Sequence, residues 1–130
     1  MTVPNHLGLI TLLILFIGCS SESIENKQKE NSLLVEMGKE QYLEGNYNNT
    51  FETLQKVITS VKTNPKSGTD FDLVQTYFYM GNVHFAFNDF GNAKKCYESA
   101  LKIAETNNKQ QPQLRLITNL VYVGYHTGNE

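Results

Sequence analysis

The clearest pattern of apolar and polar positions lies in residues 74–107. Apolar or small side chains recur there every three or four residues, a spacing that predicts one face of an α-helix. Five turn-forming residues follow at 88–92, and the helical spacing then resumes, so the stretch predicts two helices joined by a tight turn. The first face is formed by Tyr77, Met80, Gly81, His84 and Phe85, and the second by Ala93, Tyr97, Ala100, Leu101 and Ala104.

Small residues stand where these two helices must approach each other. Gly81 lies on the first helix, and Ala93 and Ala100 lie on the second. Residues of this size allow the helix axes to come near the lower end of the roughly 8–10 Å packing range. We therefore expect the two helices to pack against each other through these positions.

The same residues resemble the tetratricopeptide repeat (TPR) family, whose unit is a helix–turn–helix of about 34 residues. Three positions depart from the family pattern: His84 replaces an aromatic residue, Asn88 replaces glycine, and Glu105 replaces the proline that commonly closes the unit. The matching positions are Tyr77, Met80, Gly81, Asp89, Phe90, Ala93, Tyr97, Ala100 and Leu101.

A single helix pair cannot bury its apolar face, so the flanking segments should contain copies. Residues 31–66 and 114–130 align with the same pattern, the latter over its first helix only. The resemblance therefore implies an all-α, TPR-like solenoid of antiparallel helix pairs over residues 31–130, with about two and a half repeats at 31–66, 74–107 and 114–130. The aligned residues are Leu34, Met37, Gly38, Tyr42, Gly45, Tyr47, Thr50, Leu54, Val57 and Ile58 in the first copy, and Ile117, Leu120, Val121, Tyr125 and Gly128 in the third.

Turn-forming residues separate the three copies. Pro65 and Gly68 should end the second helix of the first copy, and Thr69 or Asp70 can cap the helix that follows. Pro112 suits the opening of the last helix, where its missing N–H is not needed. Both connections should therefore be short.

An apolar run without charge opens the chain. Residues 1–21 hold no charged side chain, and residues 7–17 are apolar apart from Thr11. The run is shorter than the ~20 apolar residues of a permanent membrane span and fits the apolar region of a secretory signal. It ends at Gly18 and Cys19, and the segment resembles a bacterial lipoprotein signal, although Phe16 stands where leucine is usual and residues 1–6 lack Lys and Arg.

This second resemblance implies a signal peptide at residues 1–18 and a lipidated Cys19. A diacylglyceryl group on the Cys19 sulfur and an N-terminal acyl chain would together give stable membrane attachment. Ser20 resembles the residue found in lipoproteins of the outer membrane, so we expect a cell-envelope location, at the outer rather than the inner membrane. The alternative is an uncleaved anchor over residues 3–21. Residues 19–30 are polar and predict either a short tether or an extension of the first helix.

Composition and motifs argue against several functions. The formal net charge is −2, so there is no basic footprint for nucleic acid. No Cys/His spacing matches a zinc site, and no glycine-rich loop suits a phosphate. His84 has no acidic residue three or four positions away, which favours a structural role, and Cys96 is either activated by Lys95 or, as we favour, packed as a small apolar side chain. We expect no enzyme, no metal and no cofactor.

The TPR resemblance also implies where a ligand would bind. In that family the first helix of each pair lines a concave groove that holds peptides. Tyr42, Phe85 and Tyr125 could instead pack between repeats. Val35 and Thr118 share the groove face, and the groove candidates carried over by position are Lys39, Tyr42, Phe78, Asn82, Phe85, Arg115, Tyr122 and Tyr125.

These patterns predict a non-catalytic, membrane-tethered module that binds a protein or peptide in the cell envelope. Two alternatives remain open. The chain could be the N-terminal sensory fragment of a TPR-containing transcriptional regulator or histidine kinase, or a scaffold lipoprotein for outer-membrane assembly or nutrient uptake. The last helix has no second helix to cover it in the pattern, so we expect it to dock on a partner or to self-associate with another copy of the chain.

Overall fold

In a computed structural model, the described part of the chain consists of helices joined by short turns, with no strand. The structure describes the backbone of residues 6–106 and 110–128 and the side chains of 21–106 and 115–128. Each helix packs on the next one along the chain, and α1 also contacts α3, as α3 contacts α5. The expected all-α class is therefore confirmed. The helices are α1 (His6–Leu43), α2 (Tyr47–Thr63), α3 (Asp70–Ala86), α4 (Phe90–Thr106) and α5 (Gln110–Thr127), with a 3₁₀ turn at Pro65–Ser67.

Helix α1 is longer than the first helix of the expected domain. Residues 22–30 belong to it, so of the two alternatives for the polar segment, a tether or an extension of the first helix, the structure has the helical extension. No glycine or proline interrupts residues 19–37, which leaves nothing in the sequence to stop the helix. Gln28 Nε2 donates to the Lys66 carbonyl at 2.8 Å, so contacts with the domain begin before the expected boundary at residue 31.

The expected signal peptide and Cys19 lie among residues whose side chains are outside the described part of the structure. Within the part of the chain that is described, no helix combines the length and the apolar character needed to cross a membrane.

Buried polar contacts join α1 to the connection between α2 and α3. The buried Asn31 side chain donates from Nδ2 to the Ser67 carbonyl at 2.7 Å and to Ser60 Oγ at 3.1 Å. Buried amides and carbonyls are stable only when they are hydrogen-bonded, so this network fixes how the three segments meet.

The start of α3 is capped as the sequence predicts. Thr69 is the N-cap residue, and its Oγ1 accepts a hydrogen bond from the Asp72 backbone N–H at 3.1 Å. The buried Asp72 carboxylate in turn accepts from Thr69 Oγ1 at 2.7 Å and from Ser32 Oγ at 2.9 Å. The second of these bonds ties α1 to the first turn of α3.

The helix pairs α1–α2 and α3–α4 are built alike. A Cβ atom placed on Gly38 would lie 2.6 Å from Leu54 Cδ2, and one placed on Gly81 would lie 2.7 Å from Tyr97 Cδ1. Each glycine is therefore the point at which a large side chain of the second helix packs on the backbone of the first. In both pairs that side chain comes sixteen residues after the glycine.

The turns correspond in the same way. Gly45 has φ 80° and Asn88 has φ 60°, and each follows its glycine, Gly38 or Gly81, by seven residues. Glycine adopts this left-handed conformation without strain, and asparagine is one of the few other residues that tolerate it. Gly128, with φ 67°, ends α5 at the matching distance from Val121.

The core continues from one helix pair into the next helix. Ala93 and Ala100, predicted to allow close packing, are fully buried. The apolar face of α5 completes this part of the core. One cluster joins Leu54, Ile58 and Met80, and a larger one joins Val74, Ala93, Tyr97, Ala100, Ala104, Leu116 and Val123.

The contact between Gly81 and Tyr97 gives a stability prediction. We expect Gly81→Ala to lower the free energy of unfolding by about 1–3 kcal/mol, because the new methyl group would overlap the ring of Tyr97, which is 2% exposed and cannot move aside freely. Urea unfolding followed by circular dichroism measures the change.

Gly91→Ala is the matched control. A Cβ at Gly91, in the first turn of α4, would meet no atom within 4 Å, so this variant should be neutral or more stable by about 0.4–1 kcal/mol. Equal unfolding midpoints for Gly81→Ala and the wild type would contradict the packing described here.

Candidate binding site

One cleft, here named the aromatic cleft, lies where α1, α3, α4 and α5 meet. Its volume is about 170 Å³. Aromatic residues form much of its lining, two asparagines and a threonine form the rest, and no lining residue is charged. The lining residues are Tyr42, Asn82, Phe85, Tyr97, Thr118, Asn119 and Tyr122.

Half of the predicted groove residues line this cleft. Tyr42 comes from the last turns of α1, Asn82 and Phe85 from α3, and Tyr122 from α5. Tyr42 and Phe85 also pack against other rings: Tyr42 lies 5.4 Å from Tyr79, and Phe85 lies 5.6 Å from Tyr122, between ring centroids. The two alternatives for these aromatics, packing and ligand contact, therefore do not exclude each other.

The other four predicted residues do not line the cleft. Lys39 pairs with Glu36, with Nζ 3.0 Å from Oε2. Arg115 places its guanidinium carbon 5.4 Å from the centre of the Phe78 ring, a cation–π contact. Tyr125 is 84% exposed and points its ring toward His126. The helical period gives the face on which each of these residues lies, but it could not show which of them turn toward a neighbouring helix.

Two cleft residues, Tyr97 and Asn119, were missed by the sequence analysis. The pattern assigns Tyr97 to the packing face of α4, but because Gly81 has no side chain, the ring extends across α3. Its hydroxyl donates to Asn82 Oδ1 at 2.7 Å. Asn119 Nδ2 donates to the same oxygen at 3.3 Å. The sequence held one signal that Tyr97 reaches the cleft: the tyrosine packs on Gly81, and the polar Asn82 follows that glycine. It held no such signal for Asn119.

These hydrogen bonds orient the Asn82 amide. Oδ1 accepts both bonds and is therefore occupied within the protein. The Nδ2 group remains as the part of this side chain that can donate to a ligand. Burial raises the pKa of Tyr97 well above its usual value, and burial also raises that of Tyr42, so both hydroxyls stay neutral at physiological pH. The cleft is therefore uncharged, with aromatic walls and amide donors.

A larger cleft, of about 970 Å³, runs along α1 and α2 and shares no residue with the aromatic cleft. Charged side chains of both signs, among them Lys27, Glu30, Glu52 and Lys56, stand along its walls. Long charged side chains lose much entropy when a ligand fixes them, so this surface is a weaker candidate for recognition.

His84 has a partner that its sequence spacing did not reveal. Its Nδ1 lies 3.0 Å from Asp89 Oδ2, across the turn before α4. Hydrogen bonds from Asn92, together with the nearby His84 ring, hold the pKa of the Asp89 carboxyl below its usual value. Asp89 also accepts from the Asn92 backbone N–H at 3.3 Å, so the pair closes the turn and supports the start of α4.

Burial raises the pKa of the Cys96 thiol to about 11, which makes it a protonated, poorly nucleophilic group at neutral pH. The favoured interpretation of Cys96, a packed small side chain, agrees with this environment. Among the side chains that the structure describes, no cluster of three or more His, Cys, Asp or Glu residues could hold a metal ion.

Comparison with known proteins adds no relative. No family model matches the sequence, and neither the curated proteins nor the solved structures include a match.

The bond between Tyr97 and Asn82 gives a second prediction. Tyr97→Phe keeps the ring on Gly81 but removes the hydroxyl donor, so the free energy of unfolding should fall by about 0.5–1.5 kcal/mol. In an Asn82→Ala background the same change should cost clearly less, since the acceptor is already absent. Urea unfolding of the four proteins measures this coupling.

Tyr125→Phe serves as the control, because Tyr125 is exposed and the removal of its hydroxyl breaks no buried contact. It should unfold as the wild type does. A Tyr97→Phe cost that is identical with and without Asn82 would show that the two side chains do not interact.

Proposed function

We propose that this chain is a non-catalytic, TPR-like module that binds a segment of another protein in the aromatic cleft while attached to a membrane of the cell envelope. The observation that carries the proposal is the convergence of Tyr42, Asn82, Phe85 and Tyr122, from three different helices, on one uncharged cleft. Aromatic side chains with few rotatable bonds suit recognition, because little entropy is lost on binding.

The likeness of the two helix pairs supports a TPR-like solenoid. Each pair has a glycine on its first helix, a large side chain packed on that glycine, and a left-handed residue in the turn. First helices also contact one another, α1 with α3 and α3 with α5, as they would in a stacked array of pairs.

The size and polarity of the cleft indicate the class of ligand. At about 170 Å³ it is smaller than the roughly 300–1,000 Å³ of typical small-molecule sites, so it suits one side chain of a longer ligand. A charged group would lose its hydration without meeting an opposite charge. A purely aliphatic group would leave Asn82 Nδ2 without an acceptor. We therefore propose an extended peptide that places an uncharged side chain and a backbone carbonyl in the cleft.

The membrane attachment rests on the sequence of the N-terminus. The apolar run at 7–17, followed by Gly18 and Cys19, supports a lipid-modified Cys19 and a location at the outer membrane. Because α1 continues through residues 22–30, the binding module would stand on a helical stalk rather than on a flexible tether.

A peptide selection tests the binding proposal. A displayed library of random linear peptides is selected on the full chain, and the recovered peptides are compared on two variants. Tyr122→Ala removes a wall of the cleft and should weaken binding by at least about tenfold, or ~1.4 kcal/mol. Tyr125→Ala, which changes a predicted groove residue that lies outside the cleft, should bind as the wild type does.

Circular dichroism of both variants should match the wild type, since neither residue belongs to the buried core. Peptides that bind the two variants equally, or a selection in which no peptide is enriched on the wild type, would contradict a peptide site in the aromatic cleft.

Intact-mass measurement with membrane fractionation tests the attachment. Expressed in a diderm bacterial host, the chain should yield a membrane-bound species that begins at Cys19 and carries acyl groups. Cys19→Ala should abolish both the cleavage and the added mass. A full-length, unacylated, membrane-bound species from both proteins would instead indicate an N-terminal anchor.

A further inference from the structure

The side chains of Asn82 and Asn119 form a linked pair of amides in the aromatic cleft. Asn82 lies on α3 and Asn119 on α5, and both are half-buried in the lining of the cleft. One hydrogen bond joins them, from Asn119 Nδ2 to Asn82 Oδ1 at 3.3 Å. The hydroxyl of Tyr97, from α4, donates to the same oxygen at 2.7 Å. Contacts among three helices therefore hold the two amides in a fixed arrangement.

These bonds leave one donor and one acceptor that a ligand can meet. Asn82 Nδ2 and Asn119 Oδ1 make no hydrogen bond within the part of the chain that the structure describes. A side-chain amide carries two N–H donors and an oxygen that can accept two bonds, so both groups retain their capacity. Because the oxygen and nitrogen of one amide are about 2.2 Å apart, Asn82 Nδ2 and Asn119 Oδ1 are separated by at most about 8 Å.

A primary carboxamide carries the complementary groups on one edge. Its oxygen can accept from Asn82 Nδ2 while its NH₂ group donates to Asn119 Oδ1. With two hydrogen bonds of about 2.9 Å and its own width of about 2.2 Å, it bridges up to about 8 Å, the widest separation that the pair allows. A single trans peptide group points its N–H and its C=O in opposite directions, so it cannot meet both asparagines.

Other side chains match the pair less well. A carboxylate has no hydrogen to donate to Asn119 Oδ1, and it would lose hydration in a cleft whose lining holds no charge. An alkyl or thioether side chain would leave the Asn82 donor and the Asn119 acceptor unpaired beside aromatic rings, where water hydrates them poorly. The two asparagines therefore distinguish ligands by hydrogen bonding as well as by shape.

We propose that the aromatic cleft selects a primary carboxamide, the side chain of an asparagine or a glutamine in the bound peptide. This selectivity rests on the peptide binding proposed above and specifies which side chain enters the cleft. Asn82 Nδ2 carries two hydrogens, so one can meet the carboxamide oxygen and the other the backbone carbonyl of the peptide. Asn119 Oδ1 accepts from the carboxamide nitrogen.

A displayed peptide library with one defined position tests the choice of side chain. Its central residue is Gln, Asn, Glu, Asp, Met or Leu in equal amounts, and its random flanks exclude Gln and Asn. After selection on the full chain in mild detergent, Gln or Asn should occupy the centre at least about tenfold more often than any of the other four. The reason is that each of the other four leaves a polar group of the cleft unpaired.

Two variants with the same change of charge locate the selectivity. Asn82→Asp keeps the size of the side chain and an oxygen for Tyr97 but removes the donor, so the preference for Gln or Asn should disappear. Asn48→Asp is the matched control, because Asn48 is exposed on α2 and lies outside the cleft. It should select the same central residues as the wild type, and circular dichroism should show both variants folded.

Calorimetry with synthetic peptides gives a second measurement on the wild type alone. In an enriched peptide, replacing Gln by Glu or Met, or Asn by Asp or Leu, should weaken binding at least about tenfold. Equal enrichment of all six central residues, or a preference that persists in Asn82→Asp, would overturn the carboxamide selectivity and leave the peptide site in place. A library from which no peptide is enriched would instead contradict the peptide site itself, and the selectivity with it.

Discussion

The contact between Gly81 and the ring of Tyr97 is the constraint on which both the packing and the candidate site depend. A glycine at this point allows an aromatic ring of α4 to lie directly on the backbone of α3. The ring fills the space between the helices and contributes to the larger core cluster. Its hydroxyl donates to the side chain of Asn82, the residue of α3 that follows Gly81. One residue of the packing face therefore also orients a polar side chain of a surface cleft. The equivalent contact of Gly38 with Leu54 cannot do this, because the leucine side chain carries no polar atom.

The two ends of the helices are held by different chemistry. At the end where α3 begins, buried polar groups join α1 to the connection through Asn31, Ser67 and Asp72. At the other end, where the turns lie, the contacts are largely aromatic: Tyr42 with Tyr47, Tyr47 with Phe87, and Phe85 with its neighbours. Hydrogen bonds require particular partners, so the polar end fixes the alignment of α1. The aromatic end supplies the rings that line the cleft.

Helix α5 has two separate roles because its faces meet different surroundings. Leu116 and Val123 hold it in the core, and this position turns Thr118, Asn119 and Tyr122 into one wall of the cleft. The remaining flank is apolar and open.

The sequence by itself determined the helical class, the positions of the turns and the packing faces of α3 and α4, and it limited the cap of α3 to Thr69 or Asp70, because periodicity, glycine and capping residues act locally. On α5 it selected Ile117, Val121 and Tyr125, which are exposed, whereas Leu116 and Val123 are the buried residues. It also named five of the seven side chains in the cleft, Thr118 among them. Only the tertiary structure decided between a tether and a helix for residues 22–30 and brought Gln28 against the connection. It alone also showed that His84 meets Asp89 and that Lys39 and Tyr125 lie outside the cleft. A helical period gives the face of a residue but not the atoms opposite it. A glycine likewise indicates a close approach of two helices without showing which side chain fills the space. At Gly81 that side chain is Tyr97, whose hydroxyl orients Asn82.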